Sequence, residues 1–263
     1  MTDNMQDPSP EEVDFLFEAR DAVAFFEVLI INARDSDSNM VEAVYLMHGE
    51  AQRLQSLCLH VERPLITLLV HRMGNFLTDL AAPTKLHFDD LKIYVDVLRG
   101  ILDGEIDRDT DQAEFVRSLP VRHPEDVGQF EFSRFEILVI EPNRTAAHFI
   151  ERELLTRGYR VSAVQKSFEA FEIAMRTRPD MIISSALLDA MSGLDLARVL
   201  QALPSTSTIP FAIFTSFEEG ASSLENLPDG VKLVHKGDSF KLDLDALLST
   251  FTKTVELTER QAS

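Results

Sequence analysis

At 263 residues the chain has room for two domains of ordinary size. Its 45% hydrophobic and 26% charged residues are those of a water-soluble globular protein, and its longest apolar run, Pro64 to Val70, is far too short to cross a bilayer. A net charge of −19 repels phosphate backbones and argues against nucleic acid as a partner, while a lone cysteine, Cys58, excludes an internal disulfide framework and fits a reducing cytoplasm.

Residues 1–9 read as a flexible tail, acidic and without the basic and apolar pattern of an export signal. From residue 10 to 104 the apolar spacing is helical throughout. Glu11 to Ala33 is free of Gly and Pro and makes one long helix. Phe15, Phe17, Phe25, Phe26, Leu29, Ile30 and Ile31 reach around more of it than one core-facing stripe requires. Either the helix is buried on two sides within the chain, or its surplus face meets a second subunit, and a homodimer is the expectation. Met40 to Val61 continues as a second helix, Pro64 opens a third that runs to Ala81, and Phe88 to Gly104 gives a fourth. Short connections predict an antiparallel all-α bundle. The pattern fades over residues 105–133, which read as a linker holding one short helix around Ala113 to Leu119.

After Phe135 the period changes. Five short apolar runs beginning at residues 135, 159, 181, 209 and 231 alternate with helical segments, including a short polar one near Glu218 to Leu227. This predicts an α/β, doubly wound, five-stranded parallel sheet over residues 134–255, followed by a tail at 256–263. In such sheets function gathers at the carboxyl ends of the strands. Those ends carry Glu141, Ser185, Thr215 and Lys236.

Residues 135–253 resemble the receiver domain of two-component response regulators, the CheY-like fold. "ILVIEPNR" resembles its first strand and acidic turn. "RPDMIISSALLDAMSGLDLARVL" resembles its third strand, acceptor loop and following helix. "IPFAIFTS" and "VHKG" resemble the strands that end in a switch threonine, here Thr215, and a lysine, here Lys236. The resemblance also exposes departures. The family's two acidic residues fall on Glu141 and Pro142. The phosphoacceptor aspartate falls on Ser185, the acceptor-loop proline on Asp189, the proline after the lysine on Gly237, and the switch aromatic on Leu233.

Receiver phosphorylation needs a carboxylate nucleophile beside a Mg²⁺ held by carboxylates. One Glu next to a Pro supplies one carboxylate where three are needed, and a serine hydroxyl needs an adjacent base to attack phosphorus. Asp189 could substitute only in a rebuilt loop. The resemblance and these departures together imply a pseudo-receiver with no catalytic group, no metal and no cofactor, in which Lys236 is left to pair with Glu141 across the sheet's end.

The helical half weakly resembles a histidine phosphotransfer (HPt) bundle, whose exposed His is followed by Lys and Gly three and four residues on. His71 has Gly74 and Asn75 there, and His48 has Ala51 and Gln52, so both lack the Lys. His60 is closer still to the helix-opening Pro64 and fits less well. The leading expectation is a cytoplasmic, non-enzymatic signalling adaptor that binds a histidine kinase, a response regulator or its own copy, with no output domain expected after Phe251. The alternative is a phosphotransfer protein using His71 or His48. A DNA-binding half is disfavoured, because residues 1–125 carry 24 Asp/Glu against 11 Lys/Arg.

Overall fold

The computed structural model describes residues 9–35, 39–78, 80–121, 133, 135–217 and 227–262. The chain divides into two compact units, residues 1–122 and 123–263.

In the first unit α1 (Pro10–Asp35), α2 (Met40–Leu57), α3 (Pro64–Leu77) and α4 (Lys85–Leu102) form a ring in which each helix packs on the next and α4 returns to α1. Side-chain pairs fix the directions. Arg20 meets Asp103 at 2.7 Å, Glu27 meets Arg99 and Arg34 meets Asp89, so α1 and α4 run antiparallel. Glu18–Arg53 with Asn32–Asn39 does the same for α1 and α2, and Gln55–His71 with His48–Thr78 for α2 and α3. The core is Phe15, Phe26, Met47, Leu54, Leu69, Met73, Phe88, Leu91 and Leu98, all nearly inaccessible to water.

Three boundaries differ from the sequence expectation. The second helix stops at Leu57 and gives way to a 3-10 turn at Cys58–His60. The third stops at Leu77, where Thr78 turns to extended backbone and its hydroxyl donates to the Gly74 carbonyl at 2.8 Å. The fourth starts three residues early, because Thr84 and His87 form a reciprocal cap in which the Thr84 N–H donates to His87 Nδ1 at 3.0 Å. Gly104 ends the neighbourhood of that helix with φ +76°, where a side chain would be strained. The short helix expected within residues 105–133 is α5 (Gln112–Ser118); Phe115, Val116 and Leu119 lie in the bundle's own core, and the Tyr94 hydroxyl donates to the Pro120 carbonyl at 2.7 Å. Its three apolar side chains, Ala113, Phe115 and Val116, are all buried, and Pro120 follows just past its end. Residues 122–132 lie outside the described ones.

The second unit alternates β1 (Glu136–Ile140), α6 (Arg144–Leu155), β2 (Arg160–Val164), α7 (Ser167–Thr177), β3 (Met181–Ser185), α8 (Gly193–Ala202), β4 (Phe211–Thr215), β5 (Lys232–His235) and α9 (Phe240–Ala262). Strand order is β2-β1-β3-β4-β5, all parallel. Alternate residues feed opposite faces. Ile137, Val139, Met181, Ile183 and Val234 pack with α6 and α9, whereas Leu138, Ile140, Ile182 and Ile213 pack with α7 and α8. The central strands are buried on both faces, which explains their unbroken apolar sequence. The short helix expected at 218–227 falls almost wholly outside the described residues. Among the described residues no helix is long and apolar enough to cross a membrane.

Candidate functional site

Glu141 follows the last residue of β1, Ser185 ends β3, Thr215 ends β4 and Lys236 follows β5, so the parallel register brings all four to one end of the sheet. Glu141, Ser185 and Thr215 are each at most 5% exposed. Lys236 Nζ donates to Glu141 Oε2 at 3.0 Å, the pairing the sequence suggested, and lies 4.5 Å above the Phe214 ring. The other Glu141 oxygen accepts the Asn143 N–H at 3.0 Å. Both carboxylate oxygens are therefore engaged by this chain's own donors. Asn143 in turn caps α6, its side chain accepting from the Ala146 N–H.

The remaining candidates are also held by neighbours. Thr215 Oγ1 accepts the Phe217 N–H at 3.0 Å. Gly193 comes so close to β3 that a Cβ there would stand 2.1 Å from the Ser185 carbonyl oxygen. His235 does not join Lys236: its Nδ1 lies 2.7 Å from Asp243 of α9, which also accepts the His235 N–H. Gly237 has φ +104°, a backbone setting a proline cannot adopt, so the proline missing from this position is excluded by the turn itself.

Asp189 has a role that sequence reasoning missed. Its Oδ1 accepts both the Ser167 hydroxyl at 2.7 Å and the Ser167 N–H at 2.9 Å. It thus caps α7, whose own N-cap Lys166 offers no side-chain acceptor, and ties the loop after β3 to that helix. The hydroxyl bond, then the backbone bond, lower the Asp189 carboxyl from 3.8 to about 2. A depressed carboxyl stabilises the fold above its unfolded value and loses that contribution as pH falls toward the folded one. Asp189→Asn is therefore expected to melt below the parent protein at pH 6 and to converge with it as pH falls from about 4 to about 2. A gap that stays constant down to pH 2 would refute the assignment.

A divalent cation of the Mg²⁺ type wants several hard oxygen ligands. Glu141 is one carboxylate, Pro142 offers no side-chain donor, Ser185 carries a neutral hydroxyl, and Asp189 Oδ1 holds Ser167 at the start of α7. Among the described residues no three His, Cys, Asp or Glu converge as a metal site. The residues present do not fit such an ion.

In the helical unit His71 is half-buried, with Nδ1 3.2 Å from the Gln55 amide and Nε2 3.2 Å from the Asn75 amide. His48 Nε2 lies 3.3 Å from Thr78 Oγ1. Phosphotransfer needs one ring nitrogen available as nucleophile, and His71 has an amide facing each.

Residues 137–235 match the family model described as the response regulator receiver domain. The chain is 28% identical over 94 residues to the response regulator PleD of Caulobacter vibrioides, a match covering 36% of this chain and 21% of that one. It is 28% identical over 96 residues to the phosphate regulon transcriptional regulatory protein PhoB of Rhizobium meliloti, covering 36% and 42%. The chain thus spans less than half the length of these curated relatives. Similar solved structures include the receiver domain of a signal transduction histidine kinase from Syntrophus aciditrophicus, 28% identical, covering 45% of this chain and 91% of that one at a TM-score of 0.42. Another is the chemotaxis response regulator CheY4 of Vibrio cholerae, 18% identical, covering 44% and 97% at a TM-score of 0.40. The family model and the β2-β1-β3-β4-β5 order together identify residues 137–235 as a response regulator receiver domain.

Proposed function

We propose that this receiver works without phosphorylation, as a non-enzymatic adaptor in two-component signalling that acts by binding other proteins. The observation that carries the reading is the closed ion pair between Lys236 and Glu141 beside a buried Ser185. An active receiver needs a carboxylate to attack the phosphoryl group beside a metal held by other carboxylates. Here the lysine is held by the carboxylate nearest to it, and the strand end that should present a nucleophile presents a neutral hydroxyl. Its partners are a histidine kinase or a response regulator in the cytoplasm, together with a second copy of the chain. The phosphotransfer alternative has less support, because the ring nitrogens of His71 face two amides and His48 meets Thr78.

The test is direct. Incubation with labelled acetyl phosphate and Mg²⁺ is expected to leave the protein unlabelled, and beryllofluoride with Mg²⁺ is expected to leave its melting temperature unchanged. A ligand bound only by the folded state at 100 times its Kd would add about 2.7 kcal/mol, so real binding would be plain. A Mg²⁺-dependent rise with the mimic would overturn the reading.

Ser185→Asp alone is expected to stay unlabelled. It restores a nucleophile but leaves Pro142 where a metal carboxylate is needed. Ser185→Asp with Pro142→Asp supplies both and is expected to label measurably. Efficient labelling of the single variant would show that Glu141 can serve a metal after all.

A further inference from the structure

The α1 helix carries two apolar faces, and the bundle uses one of them. Phe15, Ala19, Ala22, Phe26, Leu29, Ile30 and Ala33 face the core. At 3.6 residues per turn, Val13, Phe17, Ala24, Val28 and Ile31 fall within about 60° of one another, on the side roughly opposite that core face. All five are exposed: Val13 is 48%, Phe17 66%, Val28 55% and Ile31 60% accessible. Between residues 13 and 31 that sector holds no polar residue, in a chain of which 26% is charged. A merely solvated face would not be so uniform.

We infer that this stripe is the seam of an antiparallel two-fold homodimer centred near Ala22. The inference rests on the reading above that a second copy is one of the protein's partners, and assigns it a surface. Spacings of four, seven, four and three residues are those of a helix–helix seam. Reversing one copy about residue 22 sets Val13 against Ile31 and Phe17 against Val28, large against large, with the small Ala24 near the axis where the helices approach. One flank agrees with this direction, and on the other Asp21 of one copy comes near Asp21 of the second, a repulsion that salt screens. In an antiparallel pair like flanks meet, so Arg20 of one copy comes beside Glu27 of the other, twice over. A parallel pair would set Arg20 near Phe25 instead.

Arg20 and Glu27, on one border of the seam, pair within the chain, while Asp14 and Asp21 lie on its other border. Arg20, Glu27 and Arg34 pair with Asp103, Arg99 and Asp89, and Glu18 pairs with Arg53. Four large, half-exposed side chains per copy, with Ala24 and Phe25, offer on the order of the 1,000 Å² that a specific interface needs. That is a modest dimer, dependent on concentration.

The experiment uses the whole 263-residue chain. Light scattering at about 50 µM is expected to report a dimer, strengthened by added salt because screening reduces the net repulsion while the seam is apolar. Phe17→Glu and Val28→Glu are each expected to give monomers with unchanged helix content, since both positions are exposed in the monomer. Register is read by mixing single Phe17→Cys and Val28→Cys proteins under oxidation. The native Cys58 is buried and contributes little background. An antiparallel seam crosslinks the mixture at least tenfold more than either protein alone, whereas a parallel seam crosslinks each with itself and overturns the proposed direction. A dimer that survives both glutamate variants sinks the seam but leaves self-association standing. A strict monomer sinks both.

Discussion

Gly193→Ala is expected to unfold the receiver unit or to weaken it by about 3 kcal/mol or more, at or beyond the upper end for forcing extra atoms into a packed region. The added Cβ would stand 2.1 Å from the Ser185 carbonyl oxygen and 3.0 Å from Ser184 Oγ. Neither neighbour can withdraw. Ser185 sits in β3, paired in register with Phe214, and the next residue's N–H donates to the Phe214 carbonyl at 3.2 Å. On the other side the Gly193 N–H donates to the Ala186 carbonyl at 3.0 Å, which pins the start of α8. Since the obstacle is backbone, no rotamer change relieves it.

Gly158→Ala makes a useful contrast. That glycine has φ +81° but open space around its missing Cβ, so the change should cost only about 1 kcal/mol of backbone strain. Urea unfolding of both variants separates steric from conformational cost. A Gly193→Ala protein within about 1 kcal/mol of the parent would mean that α8 can lift off β3, and the tight packing described at this end of the sheet would have to be abandoned.

Much of this architecture was legible in the residues. The change from helical spacing before Gly104 to short β-branched runs after Phe135 marks the two kinds of unit, because burial on both faces demands unbroken apolar strands. The four strand-end residues were legible for the same reason: a parallel sheet sends the carboxyl ends of its strands to one edge. What escaped were contacts between residues far apart in sequence and weak as local signals. Asp189 reads as a misplaced loop residue, and nothing local announces that it caps a helix 22 residues upstream. His87 is a poor match to the usual Glu or Gln of a capping box, so the start of α4 was read late. Helices ending at Leu57 and Leu77 carry neither Gly nor Pro at the stop. The excess of Phe and Ile on α1 was plain, but assigning it to an outward stripe required knowing where α2 and α4 lie.

Lys236→Met is the variant that best separates a structural lysine from a catalytic one. Glu141 is almost wholly buried, and its ammonium partner is about one-third accessible, 32% against 4% for the carboxylate side chain. Removing one member of a fully buried pair costs about 3–5 kcal/mol. Water reaching this lysine and the retained Asn143 N–H bring the expectation down to about 2 kcal/mol. Part of that is the lost contact of the cation with the Phe214 ring, worth about 0.5–1 kcal/mol, which a methionine sulfur replaces in part. Glu141→Gln removes the charge from the same pair, and the double variant leaves no buried carboxylate behind. It should therefore be more stable than the sum of the single changes predicts, by about 1 kcal/mol in the double-mutant cycle. A lysine kept for phosphoryl chemistry would behave in the opposite way: its loss would abolish any response to acetyl phosphate while leaving the urea midpoint in place. If Lys236→Met unfolds at the parent's midpoint and the cycle shows no coupling, the ion pair is not what holds this end of the sheet, and the proposal that the receiver's site has become structural loses its main support.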